Sequence, residues 1–239
     1  MLRQVHRSQV EIWVSPPRLA TYAQRTTPNR VVDEYAWAVH FSAAYMELIC
    51  HVEVLLRNVV HRELTQQRSN SAGAWFDDHQ YVQLSGPALA SIRKARRRIT
   101  SSGHTPTADR VVAGLTFDFW RFLFVAAHQI DVWRRVRHGL KGLPGSRRGT
   151  NHFAIFERAV VDVYDLRNRV AHHEPIRLST ALQNHESILL LAEYIDPAAR
   201  SWLESISRVG PLLAARPGFP PRPTSSLQAY GRRKRRNQR

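Results

Sequence analysis

Residues 166–177 read Leu-Arg-Asn-Arg-Val-Ala-His-His-Glu-Pro-Ile-Arg, which indicates the last turn of a helix. Pro175 lacks a backbone donor and restricts Glu174, so a helix arriving from the N-terminal side is expected to end near His173. Upstream, apolar residues recur every three or four positions, the period of one helical face. They are Phe153, Phe156, Val160, Val163, Tyr164 and Ala171. The pattern therefore predicts a helix over 153–173 with one buried face.

Arg167 lies on this apolar face and is followed by Asn168 and His172. A charge on a buried face is costly unless it is paired or points into a cleft. Asn168 and His172 are four residues apart, so they share an adjoining edge of the helix. A guanidinium can hold a phosphate and an imidazole can move a proton, which favours a phosphodiester substrate. A simpler interpretation stays open, in which both residues only complement the helix dipole and cap carbonyls.

The chain is strongly basic. It has 239 residues and a formal net charge of +16, and residues 211–239 carry eight Lys or Arg and no Asp or Glu. Because the remainder is basic as well, the charge favours an anionic partner such as RNA. Residues 211–239 are also rich in proline and poor in apolar side chains. We therefore predict a folded domain over 1–210 and a disordered basic tail over 211–239.

Cysteine content and hydropathy bear on the compartment. Cys50 is the single cysteine, which excludes an intramolecular disulfide and fits a reduced compartment. Its apolar neighbours predict that it is buried. The first residues do not resemble a secretory signal, and we expect no membrane span of about 18 uncharged apolar residues. These features predict a cytoplasmic protein that does not interact with membranes.

The chain reads as all-α. Helical patterns are expected over 18–25, 31–66, 88–100, a segment capped by Asp109, 153–173, 179–193 and 197–209. Residues 69–73 and 139–149 are glycine-containing loops. No alternating runs bounded by turns indicate strands, and no repeat period is evident. A helical bundle is the expected architecture.

Two further groups of residues are candidates for function. Five cations occur within six residues of one predicted helix, namely Arg93, Lys94, Arg96, Arg97 and Arg98. They would repel one another without a polyanion, so we predict a nucleic-acid-binding surface; a solvated helix face is the alternative.

The second group is an echo of the main motif, with Arg57, Asn58 and His61 on the long helix over 31–66. A supporting role at the active site and a purely stabilising polar face both fit this spacing. Glu53 lies one turn before Arg57, which indicates either an internal ion pair or an acid that orients a catalytic arginine.

Metal and cofactor patterns are missing from the sequence. The stretch beginning His173-Glu174 lacks the second histidine of the His-Glu-x-x-His zinc motif, and Pro175 breaks the helix that such ligands require. No Cys-x-x-Cys pair and no glycine-rich phosphate loop occurs. We therefore expect no metal site and no cofactor.

Four blocks of the sequence carry a family resemblance. The string LRNRVAHHEPI at 166–176 resembles the signature of the abortive-infection (Abi-like) proteins of the HEPN superfamily. Three earlier blocks are similar to that family in the same order: SPPRL at 15–19 with Tyr22, EVLLRN at 53–58 with His61 and Trp75-Phe76, and VVAGLTFDFWR at 111–121 with Trp133. Family members usually have glycine where Asp118 stands.

The resemblance implies a HEPN-like helical bundle that acts as a metal-independent endoribonuclease, in phage defence or as the toxin of a toxin–antitoxin pair. It implies that Arg167, Asn168 and His172 are catalytic and that a homodimer brings two motifs together. Supporting residues would be Glu53, Arg57, Asn58, His61 and His173. RNA would be the substrate, and an RNA or protein antitoxin a further partner.

Two other functions are compatible with the same residues. One is a non-catalytic helical module that binds RNA or a partner protein, in which Arg167 and His172 serve structure. The other is a subunit silenced by a nucleotidyltransferase-type antitoxin that modifies it.

Overall fold

The chain is all-helical in the part that the structure describes. The structure is a computed structural model, and it describes residues 6–68, 73–145 and 151–218. These residues contain eleven α-helices and no strands, which confirms the predicted all-α class. The helices are α1 Arg7–Val14, α2 Pro16–Ala23, α3 Val31–Gln66, α4 Gly86–Ser101, α5 Ala108–Gly114, α6 Phe117–Leu123, α7 Arg134–Val136, α8 His152–Ala171, α9 Ala181–Ile195, α10 Pro197–Ile206 and α11 Val209–Ala214.

The helices fall into two compact units. Among the described residues, unit 1 comprises 6–46, 170–176 and 207–218, and unit 2 comprises 47–68, 73–145, 151–169 and 177–206. Unit 1 therefore contains the first part of α3, and unit 2 contains the rest of it. The last turn of α8 is likewise divided by sequence, since Arg169 belongs to unit 2 and Val170 to unit 1.

Helix α3 is 36 residues long because neither glycine nor proline interrupts it. By length and composition alone it could cross a membrane, so the expectation that no stretch comes near this was wrong. The core helix of a soluble protein passes the same test. One apolar face of α3 is buried in the protein, at Leu48, Val52, Leu56 and Val59. Packing within the protein therefore accounts for these apolar residues.

Unit 1 is tied together by a buried ion pair. Arg216 donates from Nε to both carboxylate oxygens of Glu34 at 3.1 Å, and the side chains are 9% and 0% exposed. The Arg216 guanidinium also lies over the Trp37 ring, 5.6 Å from its centroid. The Trp37 indole in turn donates to the Leu212 carbonyl at 2.7 Å. Both the cation and the helix that carries Leu212 therefore contribute to this core.

This arrangement corrects the predicted tail boundary at residue 211. Residues 211–214 complete helix α11, and Arg216 is nearly buried. The sequence pattern misled because Pro211 and Pro217 suggested an extended segment, whereas Pro211 is compatible with the first turn of α11. The folded part thus extends at least to Gly218. Residues 219–239, which include the predicted basic run, lie outside the described residues.

Unit 2 has an aromatic core. Helix α6 buries the apolar residues Phe117, Phe119, Trp120 and Leu123, and α8 buries Phe153 and Phe156. The rings of Phe124, Trp133 and Tyr194 lie 4.9–5.8 Å from the Phe156 ring. Phe122 lies between these buried residues in the chain but is itself 50% exposed. Its ring is close to the candidate site described in the next subsection.

A second buried arginine joins α9 to α10 within unit 2. Arg200, whose side chain is 8% exposed, pairs with Glu186, Glu193 and Glu204 at 2.9–3.1 Å. The three acids are partly exposed, so solvent shares in compensating their charge. Pro197 occupies the first turn of α10 as predicted, because its missing N–H is not needed there.

Candidate active site

The motif helix ends two residues earlier than predicted. Helix α8 stops at Ala171, and His172 and His173 form the turn after it. His173 has a φ of 57°, the left-handed conformation that often ends a helix. His173 therefore lies in the turn and not on a further face of the helix. Pro175 prevents the helix from continuing, but α8 has already ended at Ala171, and the left-handed His173 turns the chain away.

Arg167 and Asn168 lie side by side near the end of α8 in unit 2. Both are half-buried, and Arg167 Nη1 donates to Asn168 Oδ1 at 3.3 Å. Within the described part of the chain this is the one hydrogen bond of the Arg167 guanidinium, which has five N–H groups. Most of its donors are therefore available to an anionic ligand.

Glu53 of α3 is the acidic neighbour of Arg167. Burial raises the pKa of the Glu53 carboxyl, and the positive charges of Arg167 and then Arg57 act against that rise. In the described residues Glu53 forms no direct ion pair with Arg57, so the simple intrahelical pair is not seen. Arg57 instead reaches the Ala113 carbonyl at 3.5 Å. The described ion pairs contain none between Glu53 and Arg167 either, so the effect of the motif arginine on the pKa of Glu53 is one of nearby charge.

Tyr164 and Asp118 extend the polar cluster, and neither was among the predicted site residues. The Tyr164 hydroxyl donates to Asp118 Oδ1 at 2.7 Å, and the Thr116 hydroxyl donates to Asp118 Oδ2 at 3.1 Å. The hydrogen bond to Asp118 raises the pKa of Tyr164, while the side chain of Asn168 lowers it. Tyr164 therefore lies between Asp118 and Asn168. Tyr164 precedes Asn168 by four residues, a spacing that places the two side chains next to each other on a helix. The periodic pattern of α8 assigned Tyr164 to the apolar face instead, and it was therefore missed as a site residue.

Replacing Asp118 by asparagine is expected to lower the pKa of Tyr164 towards its ordinary value. The carboxylate stabilises the neutral phenol as a hydrogen-bond acceptor and repels the phenolate, so an uncharged amide removes both effects. An NMR titration of tyrosine ring carbons measures this shift. Tyr22 is the internal control, because burial is the main cause of its raised pKa. An unchanged Tyr164 titration would show that the hydrogen bond to Asp118 is absent in solution.

Cys50 was predicted to be buried, and this was wrong. It is exposed on α3, one turn before Glu53. Partial burial and the nearby Glu53 raise the pKa of its thiol, whereas Arg167 lowers it. Apolar neighbours in the sequence do not place a residue on the buried face, because only every third or fourth position of a helix lies there.

The residues of the echo motif on α3, Arg57, Asn58 and His61, differ in their surroundings. The buried Trp75 indole donates to His61 Nδ1 at 3.0 Å, so His61 carries its proton on Nε2, which lies 3.0 Å from Asp109. Asp109 was expected to cap α5, but Thr107 is the capping residue. Both nitrogens of His61 are therefore engaged within the protein. Asn58 is exposed.

The turn that carries His172 and His173 belongs to unit 1. His172 is exposed, and the carbonyl of His173 accepts a hydrogen bond from Arg18 of α2. Arg25, which follows α2, contacts the Ile176 carbonyl at 3.4 Å. Two arginines thus hold the backbone of this turn and leave the His172 ring in solvent. Their positions in the chain gave no indication of this long-range contact.

The five cations of α4 are not equivalent. Arg96 binds Asp77 at 2.6–2.8 Å and lies over the Phe76 ring, and Arg98 donates to the Gly114 carbonyl at 3.0 Å. A side chain at Gly114 would press against Arg98 Nη2 at 3.0 Å. Arg93, Lys94 and Arg97 are exposed. These three, which we call the α4 basic face, are the part of the predicted surface that is free to meet a polyanion.

Comparison with known proteins does not identify a relative. No family model, no curated protein and no solved structure matches the chain. Among the described residues, no three His, Cys, Asp or Glu side chains are grouped as a metal would require. The function must therefore be argued from the residues themselves.

Proposed function

We propose that the protein is a metal-independent endoribonuclease of the abortive-infection or toxin type, and that it belongs to the Abi-like HEPN proteins. The observation that carries the proposal is the state of Arg167. It is half-buried, its guanidinium is bonded to Asn168, its charge lowers the pKa of the neighbouring Glu53 carboxyl, and most of its N–H groups remain available. A guanidinium held in this way suits the recognition of a phosphate.

The reaction assigns one role to each motif residue. The 2′-hydroxyl of the RNA attacks the adjacent phosphorus, and the bond from phosphorus to the 5′-oxygen breaks. Arg167 binds the non-bridging oxygens and stabilises their developing charge. His172, exposed in the turn after α8, is the proton carrier. Its imidazole accepts the proton of the attacking 2′-hydroxyl, and the imidazolium so formed gives a proton to the leaving 5′-oxygen. Asn168 orients the Arg167 guanidinium. The nucleophile comes from the substrate, so DNA is not cleaved.

Glu53, Tyr164 and Asp118 act as positioning residues in this scheme. The Glu53 carboxyl acts electrostatically on the Arg167 guanidinium. The hydrogen bond from Tyr164 to Asp118 places the Tyr164 hydroxyl beside Asn168. Arg57, Asn58 and His61 are supporting residues on α3. Of these, His61 acts through its bonds to Trp75 and Asp109. His173 supports the turn through its backbone.

Cleavage products test the proposal. Purified protein incubated with total bacterial RNA in excess chelator is expected to give fragments with a 2′,3′-cyclic phosphate and a 5′-hydroxyl, because a 2′-hydroxyl attack leaves these ends. Enzymatic end-labelling before and after phosphatase treatment distinguishes them. Cleavage that stops in chelator and returns with magnesium would exclude this mechanism. Chelator-independent RNA binding without any cleavage would favour the non-catalytic binding module.

The α4 basic face is proposed to bind the RNA backbone. Its three exposed cations, Arg93, Lys94 and Arg97, carry no acidic partner among the described contacts. Replacing all three by glutamine is expected to reduce the slope of log affinity against log salt by about 2–3, since roughly 0.7–0.9 counterions are released for each phosphate contact. Fluorescence anisotropy with labelled RNA measures the slope. Arg96→Gln is the control, because Asp77 already occupies that guanidinium. Equal slopes for the triple variant and the native protein would contradict the assignment.

A two-fold dimer in the cytoplasm completes the proposal. Phe122 is 50% exposed, and its ring lies 6.4 Å from that of Tyr164, so apolar surface adjoins the site. An isologous contact through this surface would bring two copies of the motif close together. Light scattering at micromolar concentration should give twice the monomer mass, and a strict monomer that cleaves RNA would contradict the dimer.

A further inference from the structure

A polar cleft in unit 2 is separate from the residues proposed for catalysis. It has a volume of about 380 Å³ and lies beside the π-helical turn Gln129–Trp133 and the short helix α7. Its lining contains three cationic or imidazole side chains, one acid, three glutamines, one tyrosine and one isoleucine. They are Arg134, Arg135, His138, Asp131, Gln67, Gln80, Gln83, Tyr81 and Ile130.

The cleft carries an excess of positive charge. Arg134 and Arg135 face a single lining acid, Asp131, and His138 adds an imidazole one turn after Arg134. Arg135 is held in place, because its guanidinium lies 4.3 Å from the centroid of the Tyr81 ring and donates to the Asp131 carbonyl. Arg134 is exposed. One fixed and one free guanidinium, side by side, suit a dianionic group better than a singly charged carboxylate.

The same cleft contains buried polar atoms that lack an ordinary hydrogen-bond partner. Within the described residues, the Tyr81 hydroxyl and Asp131 Oδ1 are buried and have no partner of ordinary hydrogen-bond geometry. The Arg135 guanidinium interacts with Tyr81, and the other oxygen of Asp131 lies 3.6 Å from His128 Nδ1. Such atoms are rare, because a buried polar group that lacks a hydrogen-bond partner destabilises the folded protein. Both can bond to a hydroxyl group, which donates and accepts. The lining amides of Gln80 and Gln83 add further donors and acceptors.

The backbone at the cleft is also unusual. Residues 129–133 form a π-helical turn, in which Val132 and Trp133 are buried while Ile130 is 77% exposed. Isolated π-helical turns occur frequently at functional sites. The volume lies within the range of about 300–1,000 Å³ that is usual for small-molecule sites.

From these observations we propose that the cleft binds a phosphate monoester carried on a hydroxylated molecule. Arg134 and Arg135 bind the phosphate, which carries about −1.5 to −2 charges at neutral pH, and Tyr81 and Asp131 bind hydroxyl groups. Two sources have this chemistry. One is a free sugar phosphate, and the other is the 5′-phosphorylated end of an RNA strand. The proposal does not depend on catalysis by Arg167 and His172.

Calorimetric titration of the full chain distinguishes the sources. The probes are inorganic phosphate, ribose 5-phosphate, and a ten-nucleotide RNA with either a 5′-phosphate or a 5′-hydroxyl. The RNA is 2′-O-methylated at every nucleotide, the first included, so that no 2′-hydroxyl is left to attack a phosphodiester and the probe stays intact. Saturable binding of ribose 5-phosphate supports the free source, and tighter binding of the 5′-phosphorylated RNA than of its 5′-hydroxyl form supports the RNA end.

Variants locate the binding. Arg134→Ala is expected to weaken the binding about tenfold or more, since a charge-assisted hydrogen bond is lost. Arg137→Ala, an exposed arginine outside the lining, should leave it unchanged. Tyr81→Phe should weaken ribose 5-phosphate but not inorganic phosphate. The proposal would be overturned if none of the probes bound. It would also be overturned if ribose 5-phosphate did not bind and the two RNA forms bound equally, or if Arg134→Ala and Arg137→Ala lost the same affinity.

Discussion

The His172→Ala variant is expected to cleave RNA about 10²–10⁴-fold more slowly than the native protein, the usual contribution of a positioned proton carrier. Its stability should be unchanged within about 0.5 kcal/mol, because His172 is exposed and lies after the last residue of α8. The rate of appearance of 5′-hydroxyl ends in total RNA measures the loss. In bacteria, overproduction of the native protein should slow growth, whereas this variant should be tolerated at the same protein level.

The neighbouring histidine supplies the matched control. His173 has a left-handed backbone, so alanine there would add strain, but asparagine adopts this conformation readily. His173→Asn therefore keeps the turn and removes the second imidazole, and it should remain active and toxic. Full activity in His172→Ala would refute the assigned role of His172. Loss of activity in His173→Asn alone would move that role to the adjacent ring.

Replacing Arg216 by methionine is expected to lower the free energy of unfolding by about 3–5 kcal/mol. The change leaves the Glu34 carboxylate, which is 0% exposed, without the cation that holds both of its oxygens. The cation over Trp37 is lost as well. Urea unfolding followed by tryptophan fluorescence measures the effect. A loss below about 1 kcal/mol would mean that the pair is hydrated in solution.

Two controls separate charge from packing. In Glu34→Leu/Arg216→Met both ions are replaced by apolar groups, which is often nearly neutral, so the double variant should recover much of the stability. Two C-terminally truncated variants provide the other control. A chain ending at Gly218 keeps Arg216 and should match the native stability, whereas one ending at Gly210 loses Arg216 and most of α11 and should be strongly destabilised.

Local patterns in the sequence were sufficient for the helices themselves. The period of apolar residues predicted α3 and α8, because a helix that buries one face repeats every 3.6 residues. Pro175 indicated that α8 could not continue past it, and Pro197 lies at the predicted start of α10. Both inferences are local, because proline restricts its own backbone and that of the preceding residue. The boundaries of α3 agreed at both ends.

Prediction failed where a residue's partner is distant in the chain. Cys50 and Arg216 departed from expectation, and Phe122 is exposed although its apolar neighbours in the chain are buried. The sequence shows that Phe122 is apolar and Arg216 charged, but not which surface each one meets. Arg216 follows a proline-rich segment and looks solvated until Glu34, 182 residues away, is seen to be buried against it.

The candidate site divides in the same way. The amino-acid sequence by itself determined the motif of Arg167, Asn168 and His172, the helix that carries its first two residues, and the basic character of the chain. Tertiary structure alone decided that the charge of Arg167 acts on Glu53, that Asp118 binds Tyr164, and that Arg96 and Arg98 are occupied by other groups. The physical reason is that helical periodicity is a local property, whereas the pairing of buried charges depends on which helix faces pack together across the whole chain.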